Sequence, residues 1–169
     1  RGYQVHSITP DGQQIAEIQR RFGTQLNVTQ QRLEDLAPIS ESYDVILFQE
    51  SAQYIEPLMI FNKAQDLLAK EGHIFIIDEF ALQRSEIAAS EGLHLLKDIL
   101  QLSARLGFEL VEHLDLSAKA TPTLQYLLHA IDKHRQQLLD DLDLQSSHLD
   151  QLMQSNQDYL NKYVSGQFG

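Results

Sequence analysis

Apolar residues follow two different spacings along this chain, and each spacing predicts one type of secondary structure. Short apolar runs bounded by polar residues predict strands buried on both faces of a sheet. Apolar and polar residues in alternation predict a strand with one exposed face. Five segments fit one of these patterns, and we expect each to be a strand: residues 3–8, 25–29, 45–48, 73–77 and 108–116.

Apolar residues three and four positions apart lie between these segments and predict helices. One helix follows Asp11, a second begins near Pro57 and a third ends at Gly107. Helical spacing then returns in residues 121–165, where a polar interruption divides the segment into a helical hairpin. Pro122 suits the first turn of this hairpin because a proline at that position loses no helical hydrogen bond.

The alternation of strands and helices predicts an α/β fold. We expect a mostly parallel sheet of about five strands, with helices on both faces and a C-terminal helical hairpin. The 169 residues are enough for one domain with a proper core. Residues 1–120 are expected to form the α/β core, and residues 121–165 a helical insertion or lid of the same domain.

Composition and charge exclude several functions. The chain has 24 acidic and 13 basic residues and a formal net charge of −11 without a basic patch, so we expect no nucleic-acid partner. Cysteine is absent, and His129 and His134 are five positions apart, so no metal site is expected. No apolar run approaches the ~18 residues of a membrane span, and we expect a cytoplasmic protein.

Polar side chains follow the central apolar run, Val45–Phe48, at the point where the strand ends. They are Gln49, Glu50 and Ser51, and Glu79 lies in the corresponding position after residues 73–77. Ligands of open α/β sheets bind outside the carboxyl ends of the strands, so this position favours a binding site. An ordinary polar loop is the alternative, and position alone does not decide between them.

Four short matches along the chain resemble class I S-adenosylmethionine-dependent methyltransferases. They are Val5–Gln14, Leu33–Leu36, Tyr43–Ile46 and Leu67–Ile74, the last with His73 where this family often has a second glycine. The resemblance covers residues 2–117 and implies a Rossmann-like fold. It also implies S-adenosylmethionine as cofactor and in-line methyl transfer to a small-molecule acceptor, without a metal.

The resemblance assigns four cofactor contacts. Thr9 and Gln14 match the threonine and glutamine that bind the ribose in the cyclopropane-synthase and sterol-methyltransferase branch. Leu33 and Glu34 match the loop that contacts adenine. Arg32 stands where an acidic residue is more usual, which departs from the pattern of the family.

The same resemblance gives roles to the polar residues after the central strand. Gln49 and Ser51 would flank the methionine part of the cofactor. Glu50 would be the catalytic carboxylate, which steadies cationic charge or removes a proton after methylation, and Tyr54 would be a wall of the pocket. The match consists of Glu50-Ser51 followed by Tyr54-Ile55.

Two segments of the family have no counterpart in the printed sequence: the first strand with its glycine-rich loop, and the last antiparallel strand, into which residues 165–169 would lead. We therefore expect a fragment of a methyltransferase that binds the cofactor weakly by itself. The alternatives are a non-catalytic interaction module that uses the C-terminal hairpin, and a different nucleotide-binding α/β protein. The methyl acceptor and the oligomeric state, a homo-oligomer included, stay open.

Overall fold

A computed structural model describes residues 2–37, 43–84 and 92–169 of the chain. The chain divides into two compact units, residues 1–76 and residues 77–169. The division falls within a strand, between residues 76 and 77. The described elements, in chain order, are β1 (His6–Thr9), α1 (Gly12–Phe22), β2 (Asn27–Gln30), β3 (Tyr43–Gln49), α2 (Pro57–Leu67), β4 (Leu68–Ile77), α3 (Leu96–Arg105), α4 (Ser117–Lys133), α5 (Arg135–Leu142) and α6 (Ser146–Val164).

The strands of the first unit form two separate sheets. β1 pairs with β2 in parallel, with Thr9 opposite Gln30, and β3 pairs with β4. The expectation of one sheet of about five strands is therefore wrong for the described residues, which contain four strands in two pairs. No described backbone hydrogen bond joins β1 to β3, so the first pair and the second pair remain distinct.

The fifth expected strand, residues 108–116, is not a strand in the structure. A strand exists only where a second backbone accepts and donates its ladder of hydrogen bonds, and no described segment pairs with these residues. Leu110, Val111 and Leu114 are accordingly 58%, 78% and 66% exposed. The alternating pattern shows that the segment could form a strand, but it does not show that a second strand is available to pair with it.

Local sequence explains where the first two helices begin. The carboxylate of Asp11 accepts hydrogen bonds from the backbone N–H groups of Gln13, at 2.7 Å, and Gln14, at 3.4 Å, and so caps α1. Helix α2 starts at Pro57, and Glu56 caps it by accepting from the N–H of Met59 at 3.0 Å. Both starts agree with the sequence prediction.

Helix α2 covers only one face of the β3–β4 pair. Its buried residue Ile60 is in one cluster with Phe48, and Ile46, Ile74 and Ile76 pack against this cluster. The opposite face of β3 exposes Val45 by 51% and Leu47 by 56%, which corrects the expectation that this strand is buried on both sides. Among the described residues of the first unit, nothing packs over that face tightly enough to bury it. The buried residues of α2 are Ile60, Phe61, Ala64 and Leu67.

Strand β4 begins at Leu68, five residues earlier than the apolar run predicts. Gly72 explains how the chain can pair at this point. A Cβ added at Gly72 would lie 2.9 Å from the Leu68 side chain and 3.2 Å from the carbonyl oxygen of Asp44, so a larger residue would separate β4 from β3. Pairing with β3 outweighs the helical preference of the intervening residues.

Helix α4 starts five residues before Pro122, so the predicted start is wrong. The carboxylate of Asp115 accepts the N–H of Ser117 at 2.9 Å and satisfies one donor of the first turn upstream of the proline. Helix α4 packs against α6, and the hairpin has a further break at His134, between α4 and α5. Arg135 connects α5 to α6 through a hydrogen bond to Ser146 and an ion pair with Asp150.

The core of the second unit forms around Ala81 and Phe168, which are 1% and 0% exposed. Residues 167–169 run antiparallel to residues 80–82. The N–H of Phe80 donates to the Gly169 oxygen at 2.7 Å, and the N–H of Leu82 donates to the Gln167 oxygen at 2.8 Å. This short pairing agrees with the expected lead into an antiparallel strand. Within the described part of the chain, none of the helices combines the length and apolar character needed to cross a bilayer.

Candidate functional site

One apolar cluster brings together the carboxyl ends of the first three strands. Its buried members come from the loop after β2, from the end of β3, from the turn that follows β3 and from α2. Half-buried Ile8, at the end of β1, packs against them. The buried members are Leu33, Phe48, Ala52 and Ile60, which are 7%, 6%, 2% and 1% exposed.

Each predicted polar residue next to this cluster is the chain neighbour of one of its members. Thr9 follows Ile8, Glu34 follows Leu33, and the Gln49–Ser51 segment lies between Phe48 and Ala52. Consecutive Cα atoms are ~3.8 Å apart, so the backbone of Thr9, Glu34 and residues 49–51 lies within two residues of the cluster, whereas Gln14 is six residues beyond Ile8. The backbone at these positions therefore lies next to one apolar cluster of the first unit.

Thr9 and Gln14 are in direct contact. The hydroxyl of Thr9 donates to Oε1 of Gln14 at 2.9 Å and accepts the N–H of Asp11 at 3.3 Å. The amide nitrogen of Gln14 makes no hydrogen bond to any other described residue, so its two N–H groups can donate to a ligand. The pair sits where β1 ends and α1 begins.

The loop after β2 points Leu33 inward and leaves Glu34 exposed. A turn fixes this arrangement, because the N–H of Leu36 donates to the Leu33 oxygen at 3.1 Å. Lys63 of α2 donates to the Leu36 oxygen at 2.6 Å and fixes the far side of the turn. Leu33 belongs to the core, so any adenine contact would use its remaining exposed edge.

The segment after β3 has an unusual backbone. Glu50 has φ = 48°, a left-handed conformation that costs a residue with a Cβ on the order of 1 kcal/mol or more. Gln49 and Glu50 are exposed, Ser51 is half-buried, and Tyr54 is 80% exposed in a 3₁₀ turn. The buried residues on either side of this segment, Phe48 and Ala52, hold it in place.

Gln30 is a residue that the sequence prediction missed. The structure extends β2 to Gln30, which lies opposite Thr9. Its side-chain amide donates to the Pro10 oxygen at 3.3 Å and covers Gly12, where an added Cβ would come within 3.1 Å of it. The predicted strand ended one residue too early, and the polar end of β2 was the signal that could have identified Gln30.

The chemistry of this edge is that of hydroxyl, amide and carboxylate groups. Such groups can bind hydroxyls and cations. In the part of the chain that the structure describes, no group of three or more His, Asp or Glu side chains is placed to hold a metal ion. Two open clefts, of about 420 and 540 Å³, lie in the second unit, and none of the predicted site residues lines them.

No protein-family model and no curated protein matches this sequence. Solved structures do match. They include the cyclopropane synthase MmaA2 from Mycobacterium tuberculosis, with a TM-score of 0.76 at 16% identity. They also include phosphoethanolamine N-methyltransferase 2 from Haemonchus contortus, with 0.78 at 15%, solved with phosphomonomethylethanolamine and S-adenosylhomocysteine.

A third match is a protein assigned as a sarcosine dimethylglycine methyltransferase from Galdieria sulphuraria, with a TM-score of 0.80 at 13% identity. Each match covers 95% of this chain, which spans 65%, 40% and 64% of the three matched chains and thus less than two thirds of each. The chain has the fold of S-adenosylmethionine-dependent methyltransferases, which confirms the resemblance seen in the sequence. These similarities do not favour the alternative of a non-catalytic interaction module.

Proposed function

We propose that this chain carries part of a cytoplasmic methyltransferase that transfers a methyl group from S-adenosylmethionine to a small-molecule acceptor. One observation supports the proposal most: within a methyltransferase-like fold, apolar chain neighbours of the predicted polar residues, Ile8, Leu33 and Phe48, pack in one cluster. The proposed cofactor contacts are Thr9, Gln14, Leu33, Glu34, Gln49 and Ser51, and the proposed residues of the reaction centre are Glu50 and Tyr54.

The donor and acceptor groups of this edge fit the polar parts of the cofactor. The amide N–H₂ of Gln14 donates to no described residue and could donate to a ribose hydroxyl, and the Thr9 hydroxyl is held beside it. Both are neutral groups, so each hydrogen bond contributes less than the charge-assisted bond of a carboxylate would. Glu34 and the edge of Leu33 would meet the adenine.

Glu50 is the acidic residue of the proposed reaction centre. In methyl transfer a lone pair of the acceptor forms the new bond to the methyl carbon, while the carbon–sulfur bond breaks and its electrons stay on sulfur. Orientation and electrostatic stabilisation provide most of the acceleration of such an in-line displacement. The Glu50 carboxylate would stabilise the cationic methyl donor and take up a proton released by the acceptor.

We expect this chain to bind the cofactor weakly, because none of its 8 glycines forms a glycine-rich loop after a strand. Titration of the ¹⁵N-labelled full chain with S-adenosylhomocysteine at millimolar concentration would detect such binding. We expect shifts at the backbone amides of Thr9, Glu34, Glu50 and Ser51. Shifts confined to residues 92–169, or no shifts at all, would refute the proposed site.

The charge of Glu50 gives a second test that does not depend on the identity of the acceptor. S-adenosylmethionine carries a sulfonium cation, whereas S-adenosylhomocysteine has a neutral thioether. Glu50→Gln should therefore weaken binding of the first by up to about fivefold and leave the second nearly unchanged. Glu109→Gln, which neutralises an exposed glutamate of the second unit, is the matched control and should change neither affinity.

A further inference from the structure

The side chain of His6 connects three strands of the first unit. Its Nδ1 lies 2.9 Å from the hydroxyl of Tyr43 at the start of β3, and its Nε2 lies 2.9 Å from the hydroxyl of Thr29 on β2. The His6 and Tyr43 rings also stack, with centroids 6.4 Å apart and an interplanar angle of 22°. Both ring nitrogens of His6 are therefore used at once.

These two hydrogen bonds have different structural meanings. Thr29 lies on β2, which already pairs with β1 through a parallel backbone ladder. Tyr43 lies on β3, and no described backbone hydrogen bond joins β1 to β3. The bond to Thr29 therefore joins two strands that the backbone ladder already joins. The bond to Tyr43 joins β1 to a strand of the other sheet.

Besides the contacts of the loop after β2, where Lys63 of α2 donates to the Leu36 oxygen, side chains connect β1 itself to β3 at two places. At the carboxyl ends, Ile8 of β1 packs against the cluster that contains Phe48 of β3. At the amino ends, His6 holds Tyr43. Apolar packing is not directional, so the contact of Ile8 restrains rotation of β1 against β3 less strictly than a hydrogen bond does. A directional hydrogen bond at the opposite end of β1 restrains that rotation further.

We infer that His6 and Tyr43 are positioning residues that set the spacing between the two sheets and, with it, the two halves of the proposed cofactor site. This inference rests on the proposed function for its consequence, because Thr9 ends a strand of the first sheet, Gln14 lies on the helix that follows it, and Gln49 ends a strand of the second sheet. Neither positioning residue needs to touch the ligand. A change in the spacing at His6 and Tyr43 would shift the far ends of β1 and β3, where Thr9 and Gln49 lie.

The imidazole chemistry suits this role. A neutral imidazole has one donor and one acceptor nitrogen, and each hydroxyl can act as either, so both bonds form in either tautomer. Tyr43→Phe removes the bond between the sheets and keeps the stacked ring. Thr29→Val removes the bond within the first sheet and keeps a β-branched residue on β2, so the two variants form a matched pair.

The spacing can be measured directly, because the chain has no cysteine and accepts two spin labels at chosen sites. Gln19→Cys on α1 and Asn62→Cys on α2 are both exposed and report on the two sheets of the first unit. Double electron–electron resonance should give a broader distribution of the distance between the two labels in the Tyr43→Phe variant than in the unaltered protein. Thr29→Val should leave the distribution unchanged.

Two variants of His6 provide a further control, because each keeps only one of its two hydrogen bonds. An asparagine amide reaches the position of Nδ1, and a glutamine amide reaches that of Nε2. His6→Asn should therefore keep the unperturbed distribution, whereas His6→Gln should broaden it as Tyr43→Phe does. Equal distributions in Tyr43→Phe and Thr29→Val, or no broadening in any variant, would overturn the inference.

Affinity for S-adenosylhomocysteine separates this inference from the proposed function. In the full chain, Tyr43→Phe should weaken binding by about three- to tenfold, and Thr29→Val should not. If the unaltered chain does not bind but the distances respond as expected, the spacing role stands and the proposed function fails. If the chain binds and the distances do not respond, the spacing role fails alone.

Discussion

Because the backbone of Glu50 is left-handed, we predict that Glu50→Gly, a substitution in the proposed site, stabilises the protein. Glycine adopts φ = 48° without the steric cost of a Cβ, which is about 1–2 kcal/mol for other residues. Glycine also loses more conformational freedom on folding, about 0.5–1 kcal/mol. The side chain of Glu50 is exposed, so its loss removes little packing. Glu50→Gly should raise the free energy of unfolding by about 0.5–1 kcal/mol.

Urea denaturation monitored by circular dichroism measures this change, and thermal unfolding should show a rise in Tm of about 2–3 °C. Glu50→Ala keeps the Cβ and should give no comparable gain. Asp143→Gly is a second control, because Asp143 has φ = 50° at the end of α5, far along the chain from the proposed site. It should stabilise the protein without changing cofactor binding, whereas Glu50→Gly should also weaken binding of S-adenosylmethionine.

A loss of stability in Glu50→Gly would refute the reasoning, because it would show that the side chain of Glu50 or its backbone conformation is favourable in the folded protein. Equal gains in Glu50→Gly and Glu50→Ala would also contradict it, since only glycine relieves the contact of the Cβ. The expected combination, a more stable protein with weaker binding, is the usual consequence of strain held at a functional site.

Two further predictions concern the first unit. Leu67→Ala, at a side chain 2% exposed, should lower the free energy of unfolding by about 2–5 kcal/mol, whereas Leu58→Ala on the same helix, at 43% exposure, should cost less than about 1 kcal/mol in the same urea titration. Glu17 predicts a pH effect: hydrogen bonds from Arg20 and Arg21 hold the pKa of its carboxyl below the usual range. Glu17 thus contributes to the free energy of unfolding above the usual pKa of a glutamate, and this contribution is lost as pH falls through the lowered pKa. In Glu17→Gln the free energy of unfolding should therefore fall less steeply with decreasing pH. Equal slopes against pH in the two proteins would contradict the assignment.

The helix starts and the identity of the fold could be predicted because they depend on residues close together in the chain. Asp11 and Pro57 act within a single helical turn, and short matches such as Tyr43–Ile46 keep their meaning wherever the segment is placed. Position at the end of an apolar run likewise predicted Gln49–Ser51 as site residues, which stays a prediction. Gln30 was missed because its register with Thr9 depends on a second strand.

Features that depend on a distant partner were decided only by the tertiary structure. Residues 108–116 have the pattern of a strand but belong to neither described sheet, and Val45 and Leu47 have the character of buried residues but are 51% and 56% exposed. The same holds for the separation of the two sheets, the bond from His6 to Tyr43 and the left-handed backbone at Glu50. A sequence encodes the capacity of each segment to pair or pack, whereas pairing and packing are properties of two segments, and the structure alone says which of them meet.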